Sequence, residues 1–177
     1  MPNLREQLEQ RLQGRVCLMG LGNADYSDDS FGVRLAEELR ESVLPQGWRV
    51  LEAGNTPERF IGSVADQGCD HLVFLDAVEF GGPPGSAVFL DALEMTARFP
   101  QISTHKISLG LLAKWAEANG TTKAWLLGVQ PESLRPGQAL TPTLQRTLAA
   151  LRELLCSVLP PQPEEIPAVP PIAEVNA

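Results

Sequence analysis

Five short apolar stretches recur along the chain with helical segments between them, and this alternation constrains the fold more than any other feature. The stretches are Arg15 to Leu21 (RVCLMGL), Trp48 to Glu52 (WRVLE), His71 to Ala77 (HLVFLDA), Ala87 to Leu90 (AVFL) and Lys123 to Val129 (KAWLLGV). Each is bounded by Gly, Asn, Asp or Pro, residues that end regular structure, so each reads as one strand. Near-continuous apolar strands are buried on both faces, and only helices packed above and below can cover both. Helical spacing is found over Ser30–Ser42, where Phe31, Val33, Leu35, Ala36 and Leu39 share a face, and over Leu109–Ala118. It recurs over Thr141–Val158, and Pro57 suits the first turn of a helix over Pro57–Asp66. The reading is an α/β protein, a three-layer α/β/α sandwich with a mostly parallel five-stranded twisted sheet. Ala87–Leu90 follows the third strand after a Gly-Gly-Pro-Pro-Gly turn, too short for a helical crossover, so those two strands are expected to pair antiparallel.

At 177 residues the chain fits a single core. Residues 1–14 are polar and amphipathic and read as a helical N-terminal extension, and 15–158 as the domain. Residues 159–177 hold six of the 15 prolines and read as a disordered tail, because proline removes donors and forbids helix. An excess of 22 acidic over 14 basic residues, net charge −8, argues against a nucleic-acid partner. No apolar run approaches the roughly 20 residues of a membrane span, and no signal peptide is visible. Cys17, Cys69 and Cys156 are odd in number and widely spaced, which fits a reducing cytoplasm better than a disulfide framework.

In an open α/β sheet, ligands bind where the strands run out at their carboxyl ends. The first strand ends in Gly20-Leu21-Gly22-Asn23-Ala24-Asp25-Tyr26-Ser27-Asp28-Asp29. A dinucleotide fingerprint fails here: its third glycine is replaced by Asp25, and Asp28 and Asp29 would repel phosphate. One of the two acids suffices to cap the helix opening near Ser30, which leaves the other to face a cleft. Asp76 terminates the buried third strand, where it either faces a ligand or accepts hydrogen bonds from the glycine-rich loop that follows. His105 lies in Ser103-Thr104-His105, a loop feeding a helix, whereas His71 begins a strand and reads as structural. Two carboxylates and an imidazole from separate strand-end loops make an oxygen and nitrogen ligand set for a divalent transition metal, or a base for water activation. HExxH and G-x-S-x-G motifs are absent, and none of the cysteines sits where a nucleophile is expected.

These blocks resemble the nickel-iron hydrogenase maturation endopeptidases. Gly22-Asn23, Asp28-Asp29 and Gly32 match the family's G-N-x(4)-D-D/E-x(2)-G signature. Glu52-Ala53-Gly54-Asn55-Thr56-Pro57-Glu58, Leu75-Asp76-Ala77, Ser103-Thr104-His105 and Leu127-Gly128-Val129-Gln130-Pro131 follow in family order. The resemblance implies a phosphorylase/hydrolase-like fold, with Asp29, Asp76 and His105 as the catalytic, metal-binding set. It implies a nickel-dependent endopeptidase of the cytoplasm, one that removes a C-terminal extension from a hydrogenase large-subunit precursor after nickel insertion. Nickel would arrive in the precursor, with no organic cofactor, and Glu52, Asn23 and Asp28 would contact substrate. Family members commonly carry Asp-Gly-Gly where this chain has Glu52-Ala53-Gly54, at an acid linked to substrate choice. A non-catalytic nickel-sensing chaperone of the immature subunit would use the same residues.

Overall fold

A computed structural model of the chain describes residues 1–99 and 107–158. The predicted Pro-rich tail and His105 lie outside the described residues. The strands form where the apolar stretches stand: β1 Val16–Leu21, β2 Trp48–Gly54, β3 His71–Ala77, β4 Ala87–Asp91 and β5 Lys123–Val129. Around them pack α1 Leu4–Arg11, α2 Phe31–Arg40, α3 Ile61–Asp66, α4 Ala92–Arg98, α5 Leu109–Glu117 and α6 Pro142–Cys156. Strand order in the sheet is β2-β1-β3-β5-β4, with β4 antiparallel and the others parallel.

Strand alternation divides the interior into two cores. Val16 and Leu18 of β1 and Val73 and Leu75 of β3 face Leu8 and Leu12 at the N-terminus, Phe31, Leu35 and Leu39 of α2, and the Leu144, Leu148, Leu151 and Leu155 stripe of α6. Cys17, Met19, Leu21, Leu72 and Phe74 face the other way, onto Ile61 and Val64 of α3, Met95 of α4 and Leu109, Leu112 and Ala116 of α5. Burial of each such side chain contributes roughly 1.5–3 kcal/mol, which fixes both faces of the sheet. Leu8 and Leu12 are fully buried, so α1 belongs to the first core.

Three local expectations need correction. β4 pairs with β5 and not with β3. The loop after β3 is long enough to cross the end of β5, where Gln130 Oε1 accepts hydrogen bonds from the backbone N–H groups of Phe80, Gly81 and Gly82. Gly85 N–H donates to the Gln130 carbonyl, which completes the wrap, and β5 occupies the place beside β3 with a seven-residue parallel ladder. The segment from Pro57 splits into a 3-10 turn over Pro57–Arg59 and the short α3. Helix α4 has no counterpart in the periodicity reading; its start is fixed by a capping box in which Asp91 and Glu94 exchange side-chain to backbone hydrogen bonds.

Two glycines bring the carboxyl end of the sheet together. A Cβ on Gly32 would stand 1.9 Å from the Leu75 carbonyl oxygen and 2.4 Å from that of Leu21, so only glycine lets α2 start this close to β1 and β3. Gly22 has φ +117°, and a Cβ there would fall 1.8 Å from the Asp29 carbonyl oxygen.

Candidate functional site at the carboxyl end of the sheet

The chain leaving β1 turns at Gly22 and enters a 3-10 turn over Asp28–Ser30 that runs directly into α2. This places Asp28 and Asp29 at the positive end of a helix, which offsets part of the cost of burying two acids. Neither carboxylate caps that helix.

Asp28 is wholly buried and turned toward the loop after β5. Its Oδ2 accepts from the N–H groups of Glu132 at 2.8 Å and Ser133 at 2.9 Å and from Thr141 Oγ1 at 3.1 Å. Its Oδ1 accepts from Thr141 N–H at 2.8 Å. Thr141 is in turn the N-cap of α6. Asp28 therefore locks the β1 loop to the start of α6, and its buried, saturated carboxylate is not available to a substrate. The expectation that Asp28 contacts substrate is corrected on this geometry.

Asp29 turns the other way. It is 7% exposed, and its Oδ2 accepts from Asn23 N–H at 3.1 Å. Its Oδ1 is buried and meets no hydrogen-bond partner among the described residues. An unpaired buried carboxylate oxygen is costly, and the cost is relieved by a cation or a donor brought from outside. Asp76, at 1% exposure, reaches the same place from the end of β3: the Cβ position of Gly22 lies 3.9 Å from Asp76 Oδ1. The Asp29 backbone and the Asp76 carboxylate thus both lie against Gly22, whose missing side chain leaves room for that approach. The alternative role for Asp76, receiving the glycine-rich loop, is filled by Gln130 Oε1.

Asn23 organises this corner. Its N–H orients Asp29, and its Oδ1 accepts from Asp25 N–H at 3.0 Å, closing the loop on itself. Glu52 stands in register with Gly20 on the α2 side of the sheet, where its Oε1 meets Arg40 at 2.6 Å. Asp76 shares its parity with Phe74, which faces the second core, so Glu52 and Asp76 leave the sheet on opposite sides. Among the described residues no three His, Cys, Asp or Glu side chains gather to hold a metal ion. Asp29 and Asp76 supply oxygen donors from two strands, a set suited to a divalent cation or to drawing a proton from water.

At the opposite end of the sheet, His71 Nδ1 accepts from Trp125 Nε1 at 3.0 Å, and burial holds the imidazole below its ordinary pKa, the structural role read from its position. A buried thiol pair there escaped the sequence reading. Cys17 and Cys69 share a hydrogen bond that raises the first thiol and lowers the second, with burial raising Cys17 further and Arg49, 3.3 Å from Cys69 Sγ, helping to lower Cys69. No spacing motif links residues this far apart, so only the fold could reveal them.

Residues 33–158 match a family model described as hydrogenase maturation protease. The chain is 34% identical over 159 residues to the hydrogenase 2 maturation protease of Escherichia coli, covering 82% of this chain and 96% of that one. It is 27% identical to the hydrogenase expression/formation protein HupD of Bradyrhizobium diazoefficiens, covering 82% and 78%. The crystal structure of the nickel-iron hydrogenase maturation protease HycI from Thermococcus kodakarensis superposes with a TM-score of 0.76 at 29% identity, over 85% of this chain and 95% of that one. The hydrogenase maturating endopeptidase HybD of Escherichia coli superposes with a TM-score of 0.68 at 32% identity, over 78% and 88%. No helix among the described residues is long and apolar enough to cross a membrane.

Proposed function

The chain belongs to the hydrogenase maturation proteases and is a hydrolase of the endopeptidase type, and from that premise we propose that it acts in the cytoplasm on a nickel-loaded hydrogenase large-subunit precursor, removing a C-terminal extension. The observation that supports this reading is a buried Asp29 oxygen lacking a partner among the described residues, on a loop whose Gly22 lies against both the Asp29 backbone and Asp76 Oδ1. That oxygen fits a cation delivered by the substrate. His105, at the end of the segment before α5, is proposed as the third ligand. Nickel carried by the precursor would polarise the scissile carbonyl or a water molecule as a Lewis acid.

The chain's own residues account for the remaining steps. Asn23 holds Asp29 in orientation through its backbone N–H. A carboxylate oxygen of Asp29 or Asp76 that is not bound to the cation accepts a proton from the attacking water, and the burial of both acids keeps competing water out of the corner. Asp28 keeps the loop in register without touching substrate. Glu52, on the strand beside β1 and paired with Arg40 of α2, is proposed to influence which precursor is accepted.

The test is incubation of the purified chain with nickel-loaded and nickel-free large-subunit precursor from the same genome, with the precursor read by intact mass spectrometry. The expected result is loss of a C-terminal peptide from the loaded form alone, abolished by Asp29→Ala, Asp76→Ala or His105→Ala in variants that remain folded. Stable association with no mass change would replace this reading with that of a nickel-sensing chaperone.

A further inference from the structure

The thiol pair at the amino end of the sheet is a second cluster of buried reactive groups, and proteolysis at the carboxyl end leaves it without a role. Cys17 stands in β1 and Cys69 just ahead of β3, 1% and 3% exposed, and the two side chains share a hydrogen bond. Arg49 is the register neighbour of Cys17 on β2, so its side chain leaves the sheet on the same face and reaches Cys69, with Nη2 3.3 Å from Sγ. A second guanidinium lies close by: Gly68 has φ +71°, and a Cβ there would stand 2.9 Å from Arg15 Nη1.

Arg5, Arg15, Arg34, Arg40 and Arg152 each meet a carboxylate, whereas among the described residues Arg49 meets none. Its hydrogen bond goes to sulfur, and its Nε is buried without a partner among the described residues. A neutral thiol is a weak acceptor and does not balance a guanidinium, whereas a thiolate does both. The same surroundings draw the Cys69 thiol down to about 6, the hydrogen bond from Cys17 first and the arginines after it. Cys17, committed to that hydrogen bond and buried more deeply, is pushed up and keeps its proton. One thiolate beside one thiol is the pairing that disulfide chemistry needs. Two guanidinium groups near one sulfur also repel a metal cation, which sets the pair apart from a ligand set.

We propose that Cys69 and Cys17 form a redox site for a hydroperoxide, with Cys69 as nucleophile, Arg49 positioning it, and Cys17 resolving the product to an intramolecular disulfide. The Cys69 sulfur attacks one peroxide oxygen; an S–O bond forms, the O–O bond breaks, and the departing hydroxide takes up the proton that Cys69 had released. The Cys17 sulfur then attacks the sulfenic acid; the S–S bond forms, the S–O bond breaks, and the hydroxide leaves as water with the Cys17 proton. The two sulfurs lose two electrons and the peroxide gains them, so two thiols and one peroxide give one disulfide and two waters. Burial of Cys69 admits a small oxidant and disfavours a bulky disulfide, which sets the class of oxidant. The bond would tie the amino ends of β1 and β3, neighbouring strands whose carboxyl ends lead to Asp29 and Asp76. The inference needs neither nickel nor precursor and stands apart from the proteolytic reading.

The test uses the reduced full chain and hydrogen peroxide, quenched at intervals with catalase, with the remaining thiols alkylated after denaturation and read by peptide mass spectrometry. Cys156, the more exposed thiol at the end of α6, is the internal standard. Cys69 is expected to be lost about tenfold faster than Cys156, matched by a Cys17–Cys69 linked peptide that dithiothreitol releases. In Cys17→Ala, Cys69 should accumulate as a sulfenic acid captured by dimedone. Arg49→Met should slow the loss of Cys69 about tenfold and leave Cys156 unchanged. The wild-type competition requires no substitution, so it decides the matter even where a variant fails to fold. Loss of Cys156 first, loss of Cys69 without the link to Cys17, or a wild-type rate in folded Arg49→Met overturns the proposal.

Discussion

Asp28 and Asp29 are adjacent in sequence, both are buried, and they do opposite things. Asp28 spends both oxygens on four donors from the loop after β5 and the start of α6. Asp29 accepts one backbone N–H and keeps a buried oxygen without a partner among the described residues. Gln130 belongs with Asp28, since its Oε1 gathers three backbone donors of a crossing loop. Burial alone does not mark a functional carboxylate. A buried acid whose two oxygens are both met by donors is part of the scaffold, whereas one with an oxygen left over is held there against its own solvation for something that arrives later.

The sharpest way to break that comparison is to remove each acid in turn. Asp28→Ala leaves Glu132 N–H, Ser133 N–H and Thr141 without their acceptor, and is expected to destabilise the chain by about 3–5 kcal/mol in urea unfolding. Asp29→Ala relieves an under-satisfied buried oxygen and should stay within about 1 kcal/mol of wild type in the same measurement, while precursor processing is lost. Equal destabilisation by both would erase the distinction. Next in size is Gly32→Ala, whose Cβ would meet the Leu75 and Leu21 carbonyl oxygens at 1.9 and 2.4 Å. Pushing α2 away should cost about 1–3 kcal/mol, read as a lowered Tm, and should reduce processing because Asp29 precedes that helix.

A smaller effect tests the other end of the sheet. Burial holds His71 below its ordinary pKa of 6.5, so the unfolded chain binds a proton that the folded chain resists. Stability from this site is complete above pH 6.5 and declines as pH falls through that value toward the lower folded one. The decline in Tm with acidification should be shallower in His71→Gln, and identical slopes would remove His71 from the account. The smallest effect is expected at Arg40 and Glu52, an ion pair open enough to water that Arg40→Met should change stability by under about 1 kcal/mol. Glu52→Gln should leave urea unfolding equally unchanged and raise KM for the precursor; an unchanged KM would leave Glu52 as a partner of Arg40 alone.

All five strands, and helices at α2, α5 and α6, were legible in the sequence because each depends on local periodicity and on breakers within a few residues. Asp76 was legible as the polar end of a buried strand and Asp28-Asp29 as an acid pair beyond another, while the choice of Asp29 within that pair, and of Asn23, came from the family resemblance. Helix α4 was missed: its seven residues are too few for a clear period, and a capping box sets its start. The antiparallel partner of β4 was misassigned for a similar reason. Loop length bounds where a strand can go, but competition between β3 and β5 for the same neighbour is decided by the whole sheet.

The sequence by itself determined the α/β class, the two-faced burial of the strands and the residues available at their carboxyl ends, since hydrophobic spacing and glycine's freedom of φ act over short range. Only the tertiary structure decided which carboxylate is scaffold and which is open, where Glu52 finds its cation, and that Cys17, Cys69 and Arg49 meet. Hydrogen-bond saturation depends on donors such as Thr141, more than a hundred residues away in the chain, and no local pattern carries that information.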